Sequence, residues 1–193
     1  MGAIKKWWQC SIAFLQKDSW PSFIVTLILA FFIIKFIFFP GLSVLTGTGL
    51  PLVIVESCSM YHHDGGFEKI FEKSGVYEDN GINLGDTDDW IFPHGFSKGD
   101  VIFVVRAKNV QAGDVIIFNA GAAHPIIHRV ITAGDTYATK GDNYRTNSNQ
   151  LPNEREIEED QLVGKALFKV PLVGWIKLIF FEWTRSPSSR GLC

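Results

Sequence analysis

The sequence predicts a mainly β fold, in which an antiparallel β domain follows one N-terminal transmembrane helix. Three features predict it: one long apolar run near the N-terminus, short β-branched runs further on, and Gly/Asp turn residues between those runs. The chain has 193 residues, 47% of them hydrophobic and 20% charged, a composition that argues against disorder. Its formal net charge of -2 leaves no basic excess to neutralise phosphates, so no nucleic-acid partner is expected.

The first element in chain order is the apolar run at residues 21–39, which carries a single charge, Lys35. A helix of that length spans about 28 Å, close to the thickness of the hydrocarbon core of a bilayer. We expect Pro40-Gly41 to end this helix. A retained transmembrane anchor is favoured over a cleaved signal peptide, because no clear A-x-A site follows the run. It is also favoured over a buried soluble helix, because the run has no polar face.

The charges that flank the run predict its orientation. Lys5, Lys6 and Lys17 precede it, whereas no Lys or Arg follows it until Lys69. The positive-inside bias therefore makes residues 1–20 a cytoplasmic segment and places the rest of the chain outside. The predicted protein is a single-pass protein of the cell membrane.

Residues 40–183 are predicted to form the extracytoplasmic β domain, with a short linker at 40–50. Residues 62–97 are expected to be an irregular insert that holds one short helix at 67–73. Strands are predicted from β-branched runs, at 51–56, 101–105, 115–118, 126–131, 136–140 and 164–170. The apolar stretch 170–183 suits a membrane-proximal interfacial segment, with an ordinary core element as an equal alternative. Residues 184–193 complete the chain as a polar tail.

Candidate chemistry begins directly after the first predicted strand, at Ser57-Cys58-Ser59. Alternate side chains of an extended segment share a face, so the two serines should point one way and Cys58 the other. A serine nucleophile needs a general base and usually a donor for the oxyanion. Taken alone, these serines are also typical of an ordinary strand end.

A candidate base and its partner lie on two strands that should pair. His128 shares a strand face with apolar neighbours, and a buried polar side chain needs a partner. Pairing of 126–131 with 136–141 places His128 roughly opposite Thr139 or Lys140, with Asp142 as a diagonal neighbour. A carboxylate there would orient the imidazole. A structural core histidine and a turn aspartate are the alternatives.

Taken together, these motifs resemble the type I signal peptidases. The matching motifs occur in order: Ser-x-Ser-Met after an anchor, then Gly-Asp-Val-Ile-Ile-Phe, His-Arg-Val and Lys-Gly-Asp-Asn. Histidine in the His-Arg-Val segment makes the chain similar to the archaeal and endoplasmic-reticulum branch. The resemblance implies an antiparallel β catalytic domain in which Ser59 is the nucleophile and His128 the base. It also implies an oxyanion hole made by the Ser57 hydroxyl and the Ser59 amide, and it matches Asp142 to the aspartate of Gly-Asp-Asn.

The chain departs from this pattern in two places. The family usually has a second aspartate, its favoured triad acid, where this chain has Ser148 between two asparagines. Asp142, the 147–149 segment and Glu154 are therefore alternatives for the third catalytic residue. The second departure is the insert at 62–97. Its alternative roles are to cover the site, to recognise substrate or to contact a partner.

Other reactive side chains are weaker candidates. Cys58 has no identified base, and Lys140 precedes a turn at which a solvated lysine is commoner. The histidines of His62-His63-Asp64, with His94 and His124, match no standard metal spacing, so neither a metal nor another cofactor is expected. The three cysteines, Cys10, Cys58 and Cys193, do not predict a disulfide framework.

The resemblance implies a membrane-anchored serine endopeptidase that removes signal peptides from exported pre-proteins. Its partners would be signal peptides, membrane lipid and the protein-export machinery. One alternative is a non-catalytic membrane-anchored β module that binds extended peptides. Another is a relative that cleaves its own chain.

Overall fold

A computed structural model of the chain describes residues 2–63, 66–121, 124–186 and 189–193, without the side chains of residues 3, 4 and 10–12. The chain divides into two compact units, Met1–Leu45 and Thr46–Cys193. The first unit is helical and the second contains the β sheet. This division follows the change in the sequence from one long apolar run to short β-branched runs.

The N-terminal unit contains a helix, α1 (Gly2–Leu15), that the sequence analysis did not predict, and then one long apolar helix. The apolar helix comprises α2 (Trp20–Ile33), a π-helical turn (Ile34–Phe38) and α3 (Phe39–Thr46). It has 27 residues, and its most apolar 18-residue stretch has a mean hydropathy of 2.6. Within the described part of the chain it is the one helix long and apolar enough to cross a membrane.

The prediction that Pro40-Gly41 ends the helix is wrong. Proline lacks an N–H and its ring crowds the preceding turn, so it normally breaks or kinks a helix. Here the backbone N–H of Phe39 bonds the carbonyl of Ile34, five residues back, immediately before Pro40. This widened π turn makes room for the proline ring, and the helix continues to Thr46.

The second unit is built on one six-stranded sheet with the order β1-β2-β6-β3-β4-β5, in which all neighbours are antiparallel. The strands are β1 (Leu52–Ile54), β2 (Val101–Val105), β3 (Val115–Phe118), β4 (Ile126–Ala133), β5 (Tyr137–Lys140) and β6 (Leu162–Val170). The predicted mainly β fold is thus confirmed. Strand β3 is buried at every position, which explains its continuous apolar sequence.

The insert folds into two short helices, α4 (Phe67–Lys73) and α5 (Val76–Asp79), and a 3-10 turn (Leu84–Thr87). The helix predicted at 67–73 is therefore confirmed, whereas Asp64 lies outside the described residues. The insert packs its apolar side chains against Ile131 of β4 and Ala138 of β5. It therefore covers one face of the sheet at these two strands.

Two similar Gly-Asp turns hold tryptophan rings from distant segments. Gly99 and Gly113 both have a φ of 91°, a left-handed conformation that favours glycine. A Cβ atom at Gly99 would overlap the ring of Trp175, and one at Gly113 would overlap the ring of Trp90. Each turn thus requires glycine for two reasons: the left-handed backbone conformation and the close approach of an indole ring.

The C-terminal residues return to the sheet after β6. Helix α6 (Trp175–Leu178) and a 3-10 turn (Glu182–Thr184) follow, and the Lys98 ammonium group bonds the Glu182 carboxylate and the Ser189 carbonyl. Although no disulfide framework was predicted, Cys193 forms a disulfide with Cys58, 135 residues away. The predicted polar tail is thus fixed to the segment that carries the two serines.

Replacing the tail cysteine should weaken the domain. We expect Cys193→Ser to lower the free energy of unfolding by about 2–4 kcal/mol, because the cross-link constrains a long loop of the unfolded chain. Denaturant unfolding of the full chain in detergent would measure the change. Cys10→Ser is the matched control and should leave stability unchanged. If thiol titration of the unfolded, unreduced protein finds three free thiols, the disulfide assignment is wrong.

Candidate functional site

A groove of about 640 Å³ lies between the segment around β1 and the start of β4. Ser57 and Ser59 line it from one side and His128 from the other. Its remaining lining residues are mostly apolar near the strands and charged near the tail, namely Leu50, Leu52, Val53, Ile54, Glu56, His124, Pro125, Ile126, Ile127, Asn147, Leu151, Lys177 and Arg185. The structure therefore brings the predicted nucleophile and base to one site.

Both long sides of the groove are strand edges with backbone groups available for pairing. Strand β1 is the terminal strand of the sheet, so no strand among the described residues lies beside its outer edge. Strand β4 pairs with β5 only from Arg129 onward, which leaves the side of 126–128 away from β3 outside the ladder. An extended peptide can pair its backbone with such edges.

The segment that carries the serines is held by its neighbour Asn143. The backbone N–H of Asn143 donates to the carbonyl of Ser59 at 2.8 Å, and its side-chain amide donates to the carbonyl of Cys58 at 2.7 Å. The hydroxyl oxygens of Ser57 and Ser59 lie 3.2 Å apart, on the same side as predicted. Cys58 bonds to Cys193, so the alternative of Cys58 as a free nucleophile is wrong.

His128 is buried, and its two ring nitrogens face different partners. Its Nδ1 contacts the Glu154 carboxylate. Its Nε2 lies against Gly141, where a Cβ atom would come within 2.9 Å of Nε2 and 2.8 Å of the Ser59 carbonyl oxygen. The absence of a side chain at Gly141 thus lets the imidazole approach the backbone of Ser59.

Glu154 reaches His128 from a 3-10 turn, Pro152–Glu154, well beyond β5 in the chain. The carboxylate is fully buried. Its Oε2 accepts the backbone N–H of Leu151 at 2.7 Å, and its Oε1 accepts the hydroxyl of Thr139 at 3.4 Å. The sequence analysis named Glu154 as one of three alternatives for the orienting acid, and it is the one that contacts the imidazole.

Asp142 does not occupy the position expected for it beside His128. Arg129 donates to both of its oxygens at 2.8–3.1 Å, His62 Nε2 lies 2.9 Å from Oδ2, and the Tyr77 hydroxyl donates to Oδ1 at 3.1 Å. Asp142 and Arg129 are both fully buried. The predicted contact between Asp142 and His128 is replaced by a buried ion pair.

The alternation of side chains along β4 and β5 explains why Asp142 contacts Arg129 and not His128. Lys140 pairs with Arg129 in the observed register, so His128 lies beyond the last pair rather than opposite Thr139 or Lys140. Side chains two residues apart share a face, which puts Asp142 on the face of Lys140 and Arg129. His128 points to the opposite face, where Thr139 and Glu154 are found.

The environment of the ion pair fixes the protonation of its members. Burial alone would raise the pKa of the Asp142 carboxyl, but the Arg129 charge and the hydrogen bonds from His62 and Arg129 hold that pKa well below its usual range. Burial raises the pKa of the Tyr77 hydroxyl, which therefore stays a donor to Asp142. Asp142 is ionised and fully paired, in the manner of a structural anchor.

Lys140, the alternative base, is placed away from the groove. Its Nζ donates to the Gly141 carbonyl at 2.8 Å and lies over the Tyr77 ring, on the face covered by the insert. Burial lowers the pKa of Lys140 to about 8, an effect that the nearby Asp142 and Glu154 carboxylates oppose. It has no described contact with Ser59.

The histidines considered as metal ligands have other neighbours. His62 contacts Asp142, His63 packs against the ring of Tyr61, and His124 lines the groove. Within residues 2–63, 66–121, 124–186 and 189–193, no group of three or more His, Cys, Asp or Glu side chains is arranged to hold a metal ion.

Two residues of this site were missed by the sequence analysis. Arg129 is a charged residue within an apolar strand, and a buried charge requires a partner of opposite charge. This requirement could have indicated that Asp142 pairs with Arg129. Asn143, which holds the serine segment through two hydrogen bonds, had no signal of its own beyond its place in Gly-Asp-Asn.

The fold and the groove together define a class of protein. It combines a long N-terminal apolar helix with an antiparallel β domain whose groove holds two serines and a histidine between two strand edges.

Within this class, the chain is homologous to signal peptidase catalytic subunits of the endoplasmic-reticulum type. It is 28% identical over 156 residues to the signal peptidase complex catalytic subunit of Homo sapiens, covering 75% of this chain and 65% of that protein. It is 28% identical over 168 residues to the corresponding subunit of Yarrowia lipolytica, covering 79% and 76%. For the subunit of Fusarium vanettenii the identity is 25% over 158 residues, covering 76% and 73%.

These comparisons confirm the resemblance to the type I signal peptidases and its branch. No family model matches the chain. The aligned region spans 65% of the length of the mammalian relatives.

The ion pair behind the groove should be a large contributor to stability. We expect Asp142→Asn to lower the free energy of unfolding by about 3–5 kcal/mol, because it leaves the buried Arg129 charge without a carboxylate. The folded pKa of Asp142 is lowered, so its contribution is complete above its unfolded pKa and is lost as the pH falls below about 4. Denaturant unfolding from pH 7 to pH 3 would measure both effects.

Asp135→Asn, at an exposed position in the turn between β4 and β5, is the control and should leave stability within about 0.5 kcal/mol. A stability and acid dependence of Asp142→Asn equal to those of the wild type would show that the pair does not anchor this region.

Proposed function

We propose that this chain is a membrane-anchored serine endopeptidase that removes N-terminal signal peptides from exported pre-proteins. The observation that carries the proposal is the groove, because Ser59 and His128 line one cavity between two unpaired strand edges. The homology to signal peptidase catalytic subunits supports the same activity.

The geometry suits acyl transfer through Ser59. An extended substrate would pair with the edges of β1 and β4 and present one carbonyl carbon to the Ser59 hydroxyl. His128 Nε2 would take the proton from that hydroxyl as the acyl–enzyme bond forms. The same nitrogen would then give that proton to the amine nitrogen as the scissile C–N bond breaks and the amine leaves. Water would attack the acyl-enzyme with His128 as base, and the Ser59 ester bond would break as Ser59 regains its proton.

The oxyanion hole is assigned to the Ser59 backbone N–H and the Ser57 hydroxyl. The Ser57 oxygen lies 3.2 Å from the Ser59 oxygen, on the same side of the segment. A donor held this close to the nucleophile can reach the oxygen of the tetrahedral intermediate. Asn143 supports this arrangement, because its two bonds hold the Cys58 and Ser59 carbonyls away from the groove.

Substrate choice would depend on the walls beside Ser59. Ile54 and Ile127 line the groove from the two strand edges, and both are at least partly buried. Small side chains flanking the scissile bond suit such shallow apolar walls, in keeping with A-x-A-like cleavage sites.

Three features support the proposed setting of the domain. The apolar helix Trp20–Thr46 would anchor the chain in a cell membrane, and the lysines before it would keep the N-terminus in the cytoplasm. The Cys58–Cys193 disulfide supports this orientation, because disulfides persist on the oxidising, extracytoplasmic side. Residues beyond β6 would contact lipid through side chains such as Ile176, Phe180 and Trp183, which are 74%, 70% and 73% exposed.

The export machinery is the proposed source of substrate, because a translocated pre-protein emerges on the side where the domain would lie. The names of the relatives describe subunits of a complex. By analogy, we propose that further subunits contact this chain.

Cleavage of a pre-protein by the purified full chain in detergent would test the proposal. The substrate carries one A-x-A site, and mass spectrometry maps the new ends. We expect cleavage after the small residue, and we expect Ser59→Ala or His128→Ala to reduce the rate by ~10³-fold or more because each removes an essential member of the nucleophile–base pair.

Ser43→Ala, outside the groove lining, is the control and should cleave at the wild-type rate. If wild-type protein binds the substrate without cutting it, and Ser59→Ala binds equally well, the domain is a peptide-binding module instead. A fragment of the chain itself that disappears with Ser59→Ala would indicate self-cleavage.

A further inference from the structure

Glu154 meets three conditions required of a residue that orients a catalytic histidine. It contacts Nδ1 of His128, it is fully buried, and both of its oxygens accept further hydrogen bonds. We propose that Glu154 is the positioning residue for His128, in place of Asp142, which is paired with Arg129 instead. This inference rests on the proposed function of Ser59 and His128.

The contact assigns a tautomer to the imidazole. An ionised carboxylate only accepts hydrogen bonds, so Nδ1 must carry the proton that lies between His128 and Glu154. Nε2 is then unprotonated and able to accept the Ser59 proton. When Nε2 takes that proton, the imidazolium is stabilised by a negative charge already in place.

The surroundings of Glu154 hold its carboxylate in one orientation. Oε2 accepts the N–H of Leu151 from its own turn, and Oε1 accepts the hydroxyl of Thr139 from β5. Two donors from separate elements leave the carboxylate little freedom to rotate. The proline at the start of this 3-10 turn, Pro152, fixes the backbone that presents the carboxylate.

The same contacts predict what a glutamine would do at this position. The Leu151 N–H requires an acceptor, so the amide oxygen should take the place of Oε2. The amide NH₂ would then face His128 Nδ1 as a donor and force the ring proton onto Nε2. In that tautomer the imidazole cannot accept the proton of Ser59, although its position is unchanged.

The first test is the tautomer itself, measured on the full chain in detergent by ¹⁵N NMR of labelled histidine. In the wild type we expect the neutral His128 ring to be protonated at Nδ1, and in Glu154→Gln at Nε2. This readout does not depend on peptidase activity, so it remains informative if no substrate is cut. A wild-type ring protonated at Nε2 would overturn the assignment of Glu154.

The second test separates orientation from structure by kinetics. We expect Glu154→Gln to lower kcat for the A-x-A substrate by ~10²–10⁴-fold, the upper figure being the loss known for the wrong tautomer in a serine protease. KM should stay within about twofold, because the groove edges are intact. Glu154→Asp, which keeps the charge but shortens the reach, should restore part of kcat.

Glu156→Gln removes the same charge at an exposed position two residues away and is the matched control, expected to retain wild-type kcat. Glu154→Gln with wild-type kcat and a ring protonated at Nδ1 would refute the proposal. If wild-type protein cuts no substrate but shows the Nδ1 tautomer, the proposed peptidase function fails while the contact stands.

Discussion

The buried ion pair between Arg129 and Asp142 is the interaction on which the site depends most. Arg129 directly follows His128, which lines the groove. Asp142 lies between Gly141, against which the imidazole packs, and Asn143, which holds the serine segment. A buried charge without its partner is costly, so the two strands cannot shift against each other without breaking the pair. The pair thereby fixes the spacing between the imidazole and the serine segment without contacting a substrate.

The ion pair and the groove residues lie on opposite faces of the sheet. The face of Arg129 and Lys140 is covered by the insert, whose Phe67 and Trp90 rings lie against the guanidinium group. The opposite face carries His128, Thr139 and Glu154. The insert therefore does not cover the groove through its described residues, and its packing on the back of the site supports the ion pair by excluding water from it.

The sequence predicted the strands well because their β-branched runs are bounded by glycine turns, and it predicted Ser59 and His128 at one site from ordered motifs. It placed Asp142 wrongly because it allowed Lys140 to lie opposite His128, whereas Lys140 pairs with Arg129, and a shift of one residue moves a side chain to the other face. Glu154 remained one of three alternatives, because its approach depends on a loop whose path the local sequence does not define. The continuation of the helix through Pro40 depended on a π turn with no local signal.

A groove bounded by two unpaired strand edges imposes a requirement on whatever enters it. Among peptides, only one that is itself extended can pair with the N–H and C=O groups along the edges of β1 and β4, since a helix has already used its own backbone groups. The backbone conformation of a segment thus limits its entry before its side chains do. A segment that stays helical would be passed over even with small residues at the right positions, whereas any segment that unwinds locally would become a candidate.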